Sequence, residues 1–305
     1  MTQRPWTDSH VHVVDFLQHR GDMGALAREM GEHGCTRAVA FGLPVKKHWA
    51  RSEPEKPTYY LDDNAPCHYH SLTDVVLLDA VDELERAGIR VAPLASGFAP
   101  TDRLAGEHLE HLWERSERWA GVGEVMLRHD DLTDLTAGET PTADHIAMDV
   151  VADFCRDKNV PLLVHHDSSS PGRPGRHEYV AELDRLLRRH PGTSVVWAHG
   201  GVSRRIDPRG QAEMLDELTR RHPRLHVDLS WVLLDRILDG GRLDDRWTDV
   251  LRRRPDRFVV GTDTVGRADM FADRARQIAV LLDCLGPVDA EYIATANAAS
   301  LWFRE

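Results

Sequence analysis

The sequence predicts an α/β protein folded as a (β/α)8 barrel, and two observations support this fold class. Short apolar runs of strand type alternate with longer amphipathic segments along the 305 residues, which is the pattern of repeated βα units. Eight such units can be counted, and this barrel usually takes about 250 residues or somewhat more. A doubly wound sheet is the competing architecture, but no GxGxxG segment follows the first strand to support it.

Eight segments are predicted to form the barrel strands, because most are apolar at consecutive positions, as strands buried on both faces are. In chain order they are Thr7–Val14, Arg37–Leu43, Arg90–Ala95, Gly121–Leu127, Val160–His165, Ser194–His199, Leu225–Ser230 and Arg257–Thr262. The carboxyl ends of such strands meet at one face of the barrel, where barrel enzymes keep their active sites.

Segments of helical period lie between the strands, and each ends near Gly, Pro or a basic residue, as helices commonly do. They include Thr73–Ala87, Asp102–Arg118, Thr142–Lys158, Glu178–His190, Gln211–His222 and Ala268–Leu285. Two long connections, Pro44–Leu72 and Arg128–Pro141, would emerge on the active-site face. Neither looks like a linker, so residues 1–305 are predicted to form one domain.

Charge and composition exclude several classes of protein. The 38 Lys and Arg against 50 Asp and Glu give a net charge of −12, which argues against a general nucleic-acid binder. No apolar run approaches the ~18 to 20 residues of a membrane span, and the start lacks the plan of a signal peptide. The four cysteines form no CxxC pair, so they read as reduced thiols of a cytoplasmic protein.

The first predicted strand contains the strongest local signal, Asp8-Ser9-His10-Val11-His12. Residues two apart on a strand point the same way, so His10 and His12 present two imidazoles to one centre. Neutral imidazole is a favoured ligand of zinc and related ions. Taken alone, the pair is also compatible with an incidental His-x-His.

Other predicted strands also carry an ionisable residue near their carboxyl ends: Glu124 in GVGEVML, His165 in VPLLVHH, His199 in SVVWAHGG and Asp263 in RFVVGTD. Such residues are rare in apolar strands, because burying one unpaired is costly. In a closed barrel the four imidazoles and two carboxylates would surround one cavity. Six N and O ligands suffice for two divalent ions that share a bridging carboxylate. Separate buried hydrogen bonds or ion pairs are the alternative.

The order His-x-His, Glu, His, His, Asp on strands one, four, five, six and eight resembles the amidohydrolase superfamily of metal-dependent barrel enzymes. DSHVH, VGEVML, PLLVHHD, VVWAHGG and VVGTDT resemble its amidohydrolase-2 and TatD-like branches, and ATANAASLW is similar to their C-terminal helix. The resemblance implies a barrel with a C-terminal extra helix and a hydrolase with one or two divalent ions. Zinc is the first choice, with Mn, Fe, Ni or Co as alternatives.

The resemblance also implies a role for each ligand. The more buried ion would be held by His10, His12 and Asp263, the more exposed one by His165 and His199, and Glu124 would bridge them. Some members of the superfamily use a carbamylated lysine as the bridge, but the fourth strand contains no lysine. Single-metal decarboxylases do not require a bridging glutamate, so Glu124 counts against that class without excluding it.

Asp263 has a second implied role, because a metal-activated water needs a proton acceptor. Its carboxylate would accept that proton and later deliver it to the leaving group; a helix N-cap is the structural alternative. His166 follows His165 and would face the opposite way on a strand, so it is expected either to touch substrate or to bond behind the strand. Asp8 is expected to hold an imidazole N–H and fix its tautomer.

Basic and aromatic residues after the strands are the candidates for contacts with substrate. An arginine at the barrel mouth suits a carboxylate or phosphate, and Arg128 is preferred over Arg204, Arg205 and Arg267 because it lies closest in sequence to a ligand strand. Trp231 follows the seventh strand and is a second candidate. A solvated surface charge is the alternative for each arginine.

The long connection after the second strand is predicted to form a lid over the barrel mouth. Tyr59, Tyr60, His68 and Tyr69 would then contact an organic substrate. A metal site formed by Cys67, His68 and His70 is less favoured, because the spacing fits no standard structural zinc site.

These observations predict a metal-dependent hydrolase that cleaves a C–N, ester or lactone bond of a small organic substrate. One version of this prediction is that the substrate is anionic. A TatD-like phosphoesterase or nuclease is disfavoured by the net charge of −12 and the lack of a basic stripe. A single-metal decarboxylase ranks third, and a metal-binding scaffold without turnover is the non-enzymatic alternative. No nucleic-acid or membrane partner is expected, and a homo-oligomer is compatible with the sequence.

Overall fold

The computed structural model describes residues 4–47, 67–129, 132–133, 136, 138–173 and 175–305. Its strands are β1 (Trp6–His12), β2 (Cys35–Phe41), β3 (Val45–Lys47), β4 (Cys67–Tyr69), β5 (Arg90–Ala95), β6 (Gly121–Met126), β7 (Leu162–His165), β8 (Val195–Trp197), β9 (Leu225–Leu229), β10 (Leu238–Asp239), β11 (Arg242–Leu243), β12 (Phe258–Val260) and β13 (Thr264–Val265).

The helices lie between these strands in the alternation that the sequence predicts. They are α1 (Met23–Glu32), α2 (Thr73–Arg86), α3 (Ala105–Arg115), α4 (Ile146–Lys158), α5 (Val180–Arg189), α6 (Gln211–Arg221), α7 (Val232–Ile237), α8 (Asp245–Arg253), α9 (Phe271–Asp283) and α10 (Pro287–Glu291). Two π-helical turns, Tyr292–Ala296 and Ala299–Phe303, continue from α10. This segment is the predicted C-terminal extra helix.

The large sheet is parallel, with the strand order β12-β9-β8-β7-β6-β5-β2-β1-β13. Its two outermost members, β12 and β13, are separated only by residues 261–263, so they are two parts of one eighth strand. The first part pairs with β9 through Phe258 and Val227, and the second pairs with β1 through Val11 and Thr264. The sheet therefore closes on itself, which confirms the predicted (β/α)8 barrel.

The barrel interior and the helix layer have separate hydrophobic cores, because successive strand residues point to opposite faces. Outward-facing residues such as Ala38 and Val164 join the helices in the larger cluster. The inner cluster consists of Val39, Phe41, Ala92, Leu94, Leu163, Val196, Ala198, Val259, Ala298, Trp302 and Phe303. Its polar counterparts nearer the carboxyl ends of the strands are the residues of the candidate site.

The C-terminal segment forms the floor of the barrel at the amino ends of the strands. Arg37 lies near the start of β2, and Arg90 is the first residue of β5. The ring of Phe303 lies beneath the guanidinium groups of both arginines. The carboxylate of Glu305 pairs with the same two arginines. The end of the barrel at the amino ends of the strands is thus closed, and the candidate site lies at the opposite end.

Two antiparallel ribbons lie outside the barrel. The first pairs β3 with β4 and belongs to the long connection that the sequence places after the second strand; residues 48–66 of that connection lie outside the described part of the chain. The second pairs β10 with β11. Within the described residues, no helix combines the length and apolar character needed to cross a membrane. That residues 1–305 form one domain stays a prediction.

Candidate metal centre

The first barrel strand brings two histidines into the interior. His10 and His12 on β1 are buried, and their Nε2 atoms lie 3.4 Å apart. Both rings pack edge-on against Phe41 of β2, so an apolar wall fixes them from one side. Because they are two residues apart on one strand, they face the same cavity, as the sequence predicts.

The eighth strand places a carboxylate beside this pair. Oδ1 of Asp263 lies 3.6 Å from Nε2 of His10 and 3.4 Å from Nε2 of His12. Its backbone N–H donates to the carbonyl of His10 at 2.9 Å, so the pairing of strands one and eight sets the position of the side chain. The three residues offer ligand atoms within 4.8 Å of one another and can hold one cation.

Glu124 on β6 occupies the centre of the cluster. Its Oε2 lies 3.3 Å from Nε2 of His12 and 3.7 Å from Nε2 of His10. Its Oε1 lies 3.1 Å from Nδ1 of His165 and 3.6 Å from Nε2 of His199. The two carboxylate oxygens therefore face two different pairs of imidazoles, which is the geometry a carboxylate needs to bridge two cations.

His165 and His199 come from neighbouring parts of the barrel. His165 ends β7, whereas His199 lies just beyond β8 in a short turn, Ala198–Gly201, where its backbone is left-handed. The observed strand β8 ends at Trp197, so it is shorter than the predicted strand Ser194–His199. The turn nevertheless directs the ring of His199 back over the barrel, 4.8 Å from the ring of His10.

Each of the four histidines donates its second ring nitrogen to an acceptor outside the cluster. The pairs are His10 Nδ1 with Asp228 Oδ2 at 2.8 Å, His12 Nδ1 with the Gly42 carbonyl at 2.8 Å, His165 Nε2 with Asp167 Oδ1 at 3.3 Å, and His199 Nδ1 with Ser230 Oγ at 2.7 Å. Such outer hydrogen bonds fix the tautomer of metal-binding histidines. In the neutral form of each ring the bare nitrogen is then the one directed toward Glu124, so the donor set fits divalent cations.

The expectation that Asp8 holds an imidazole is wrong. Its Oδ1 accepts from the backbone N–H groups of His10 and Thr262, and its Oδ2 accepts from the Thr262 hydroxyl. Asp8 thus joins strands one and eight through backbone groups, and burial raises its pKa to about 7. The carboxylate that holds the His10 ring is Asp228, which the sequence analysis did not single out. Its only signal is an acidic residue within the apolar run LHVDLS.

The electrostatics of the cluster favour positive charge. Burial disfavours a charged His10, but Glu124, Asp228 and Asp263 outweigh burial and raise its pKa well above the ordinary value. Burial likewise disfavours a charged Glu124, yet His10 and the bonded histidines hold its pKa well below the ordinary value. Hydrogen bonds to Asp167 and Glu124 raise the pKa of His165 to about 10 against the effect of burial. A cation that displaces these protons would enter a favourable field.

The pKa values of His199 and His129 are lowered, whereas that of His10 is raised. Burial, together with the positive charges of His10 and His165, lowers the pKa of His199, so its ring is neutral. His129 follows β6, stacks on the ring of His165 at 4.4 Å between centroids, and has its pKa lowered to about 3 by burial and by His165. Together with His165 and Asp167 it forms a further group of possible ligand atoms. His129 is not among the site residues predicted from the sequence.

A small cavity of about 40 Å³ opens above the cluster. Its polar lining includes Glu124, Asp263, His129 and Arg204. Its apolar lining is formed by Phe16, Leu43, Met126, Trp231, Val265 and Met270. The guanidinium of Arg204 lies 5.5 Å from the centre of the Trp231 ring. The cavity therefore places one cation and one large aromatic surface beside the candidate metal ligands.

Of the four residues predicted to bind substrate, the structure brings Trp231 to the cavity, where its ring lies 5.1 Å from that of His199. Arg128 is not placed there. Its Nε and Nη2 donate to the carboxylate of Glu182 at 2.8 and 2.7 Å, and its guanidinium lies over the ring of Tyr179. This bidentate pair, on the helix side of the sheet, corrects the prediction, and Arg204 is the arginine that lines the cavity.

His166 and His68 also lie elsewhere. His166 faces away from the cavity, as its neighbour His165 requires, and its Nε2 donates to the carbonyl of Tyr179 at 3.0 Å. Its expected substrate contact is therefore wrong, and the hydrogen bond behind the strand is correct. His68 is exposed on β4 opposite Lys46 and does not line the cavity. The lid residues Tyr59 and Tyr60 lie outside the described part of the chain.

The fold and these donors define the class of protein: a (β/α)8 barrel with N and O ligands for divalent cations at the carboxyl ends of its strands. A family model described as Amidohydrolase matches residues 64–265. The chain belongs to this amidohydrolase family and is a hydrolase. This match confirms the resemblance to the amidohydrolase superfamily that the sequence motifs indicate. No significant match to a curated protein was found.

Solved structures share the fold over nearly their whole length. A TIM-barrel protein from Bordetella bronchiseptica is 14% identical and covers 98% of each chain, with a TM-score of 0.61. A probable 2-pyrone-4,6-dicarboxylic acid hydrolase from Acinetobacter baumannii, with citric acid bound, is 13% identical over 98% of this chain and 99% of its own, with a TM-score of 0.61. An amidohydrolase from Burkholderia multivorans with bound zinc is 14% identical, with the same coverage and a TM-score of 0.61.

Proposed function

We propose that this protein is a hydrolase with a binuclear metal centre that cleaves a C–N, ester or lactone bond of a small anionic substrate. The observation that carries the proposal is the position of Glu124, whose two oxygens face separate imidazole pairs at 3.1 to 3.7 Å. A single-metal decarboxylase does not require a carboxylate that faces two imidazole pairs. Divalent ions bound here would lower the pKa of a water molecule and polarise the bond under attack.

The six residues at the centre divide between two ions in this proposal. His10, His12 and Asp263 hold the first, His165 and His199 hold the second, and Glu124 belongs to both. Zinc is the preferred metal, since imidazole and carboxylate ligands without sulfur suit it. The zinc found in the Burkholderia multivorans amidohydrolase is consistent with this choice.

Asp263 is the proposed proton carrier. Asp263 and Glu124 both line the cavity, but Asp263 is 8% exposed whereas Glu124 is 1% exposed. Asp263 is therefore the carboxylate of the cluster that can reach both the attacking water and the leaving group. It would accept the proton of the water and return it to the leaving nitrogen or oxygen, which is ordinary general base and acid chemistry.

Arg204, Trp231 and His129 would bind the substrate. Arg204 supplies a cation for a carboxylate, and Trp231 supplies a flat apolar surface for an organic body. His129 is neutral because its pKa is about 3, so it can exchange hydrogen bonds without adding charge. An acidic substrate is also consistent with the dicarboxylic acid and citric acid named for the Acinetobacter baumannii structure.

The proposed setting is the cytoplasm. All four cysteines are free, and Cys35, Cys67 and Cys155 are buried in the fold, as expected of a protein made in a reducing compartment. The proposed partners are small molecules, because the net charge of −12 disfavours nucleic acid.

Metal analysis combined with a hydrolysis screen tests this function. Protein purified without added metal should contain up to two divalent ions, and chelation should abolish hydrolysis until metal is returned. The screen should compare amides, lactones and phosphodiesters, each with and without a carboxylate near the scissile bond. Activity confined to phosphodiesters would favour the TatD-like alternative, and tight metal binding without any turnover would contradict the proposal.

A further inference from the structure

The seventh barrel strand, β9, supplies none of the six proposed ligands, yet it contacts two of them. Asp228 lies on β9 and Ser230 directly follows it, so the two side chains are two residues apart and share one face. Both are fully buried. Asp228 contacts His10, and Ser230 contacts His199.

These contacts form one continuous chain of hydrogen bonds. Oδ2 of Asp228 accepts from Nδ1 of His10 at 2.8 Å and also from the hydroxyl of Ser230. Oγ of Ser230 in turn accepts from Nδ1 of His199 at 2.7 Å. The single carboxylate oxygen therefore organises two histidines, one directly and one through the serine.

The direction of the chain is determined by chemistry. The hydroxyl of Ser230 donates to Oδ2 of Asp228, and this bond uses its one proton. The serine oxygen then has only acceptor capacity left for His199, which must carry its proton on Nδ1. His10 must also carry its proton on Nδ1, because it faces the same carboxylate.

In the neutral form of each ring the bare nitrogen is therefore Nε2, which is directed into the centre. Nε2 of His10 lies 3.7 Å from Oε2 of Glu124, and Nε2 of His199 lies 3.6 Å from Oε1 of the same residue. His10 also lies beside Asp263 in the group proposed for the first ion. One ligand from each half of the centre is thus oriented by the same carboxylate.

We propose that Asp228 and Ser230 are positioning residues that couple the two halves of the metal centre. Asp228 selects the metal-binding tautomer of a ligand in each half, whereas Ser230 selects it only for His199. The proposal rests on the binuclear function above. It predicts an asymmetry: loss of the carboxylate weakens both ions, and loss of the hydroxyl weakens only the ion held by His199.

Five variants separate this coupling from a merely structural role. Asp228→Ala removes the acceptor for both histidines, and Asp228→Asn is the conservative partner because its amide oxygen can still accept both protons. Ser230→Ala and Ser230→Thr form the corresponding pair for the hydroxyl. Asp74→Asn is the control, since Asp74 is a buried carboxylate that accepts from the backbone N–H groups of Ser96 and Gly97 rather than from a ligand histidine.

Two readouts apply to each variant. Metal-stripped protein is titrated with Zn²⁺ against a chromophoric chelator, which gives the affinity of each ion. Nitrogen NMR of the metal-free protein, labelled at histidine, reports which ring nitrogen carries the proton. Outer-shell changes of this kind typically weaken metal binding by about 10- to 100-fold.

The expected result is a loss of about that size for both ions in Asp228→Ala and for one ion in Ser230→Ala. In the two Ala variants, the affected histidines should also lose their preference for a proton on Nδ1. The Asn and Thr variants should recover most of the affinity, and the control should bind as the wild type does. Wild-type protein that binds no divalent ion would overturn the proposed function. Wild-type protein that binds two ions, with both affinities unchanged in Asp228→Ala, would overturn the coupling alone. If Asp228→Ala does not fold, Ser230→Ala still tests the proposal: two unchanged affinities and an unchanged proton position on His199 would overturn it.

Discussion

A β-carbon placed on Gly261 would lie only 2.5 Å from Cβ of His10. The eighth strand therefore passes so close to the first that a side chain at position 261 would displace the histidine. The same β-carbon would also lie 3.1 Å from Oδ1 of Asp228. Glycine at this position is thus a condition for the ligand and its hydrogen-bond acceptor to meet.

Gly261→Ala is expected to damage the metal centre and the fold together. The added methyl group must push His10 away from Asp228, and overpacking of this kind costs about 1 to 3 kcal/mol. Urea unfolding should show the lost stability, and metal titration should show weaker binding. Gly31→Ala is the matched control, because nothing lies within 4 Å of its β-carbon position in α1. Normal metal affinity in Gly261→Ala would show that the strand can shift without moving the ligand.

Glu124→Gln should reduce the metal content from near two ions toward one. The amide keeps the size of the side chain but supplies only one good ligand oxygen, so it cannot serve both imidazole pairs. Metal analysis after dialysis measures the stoichiometry directly. Glu182→Gln is the control, because Glu182 pairs with Arg128 away from the cavity and its loss should leave the ion count unchanged. Two ions in Glu124→Gln would place the bridge elsewhere.

Asp263→Asn should retain much of the metal and the fold but lose turnover. The amide keeps an oxygen ligand and removes the basicity, and general acid–base help is worth roughly 10²- to 10⁴-fold in rate. The decisive measurement is kcat at equal metal content for the variant and the wild type. A near-normal kcat would show that Asp263 acts only as a ligand and that another residue is the base.

Arg204→Met should raise KM for anionic substrates with a smaller effect on kcat. A hydrogen bond to a charged group is worth about 1.5 to 3 kcal/mol, so KM should rise roughly tenfold or more. Arg128→Met serves as the comparison, because its guanidinium is bound to Glu182 and Tyr179 and should not affect KM. An equal change in both variants would argue for a general loss of charge rather than a contact.

The stability of the fold should contain a pH-dependent contribution from His226. Burial, and next the charge of Arg257, lowers the pKa of His226 to about 4 from its ordinary 6.5. Between these pH values the unfolded chain binds the extra proton, so this contribution is complete above pH 6.5 and is lost as pH falls toward 4. Its size is at most about 3 kcal/mol.

His226→Gln should remove that contribution. Urea unfolding of the variant and the wild type at pH 4.5 and 7 measures it as the difference between their pH slopes. His111→Gln is the control, because the side chain of His111 is 77% exposed. Parallel slopes for His226→Gln and the wild type would show that His226 is protonated in the fold as easily as outside it.

The barrel and the six clustered residues could be read from the sequence because their signals are local. A histidine or carboxylate that ends an apolar strand stands out from its neighbours, and the fold then brings the strand ends together. His165 and His166 were assigned to opposite faces from the period of a strand alone. The structure agrees, with His165 at Glu124 and His166 at the carbonyl of Tyr179.

Partners chosen by tertiary contact could not be predicted. Arg128 and Glu182 are 54 residues apart, so nothing near Arg128 in the sequence shows that its charge is already paired. Asp228 and His10 are separated by 218 residues, whereas Asp8 lies near His10 in the chain and attracted the assignment. Helix α1 begins at Met23, and Asp22 caps it by accepting from the backbone N–H of Ala25, but its short run does not stand out from the surrounding polar residues.

The closure of the barrel by its first and eighth strands also determines when the centre can exist during synthesis. His10 and His12 leave the ribosome well before Asp263, which follows them by about 250 residues. At about 5 to 20 residues per second, roughly 10 to 50 s pass before the eighth strand can join the first. Until then a nascent chain offers these imidazoles without the carboxylate that completes their group, so the full donor set of His10, His12 and Asp263 exists only after the eighth strand has been made.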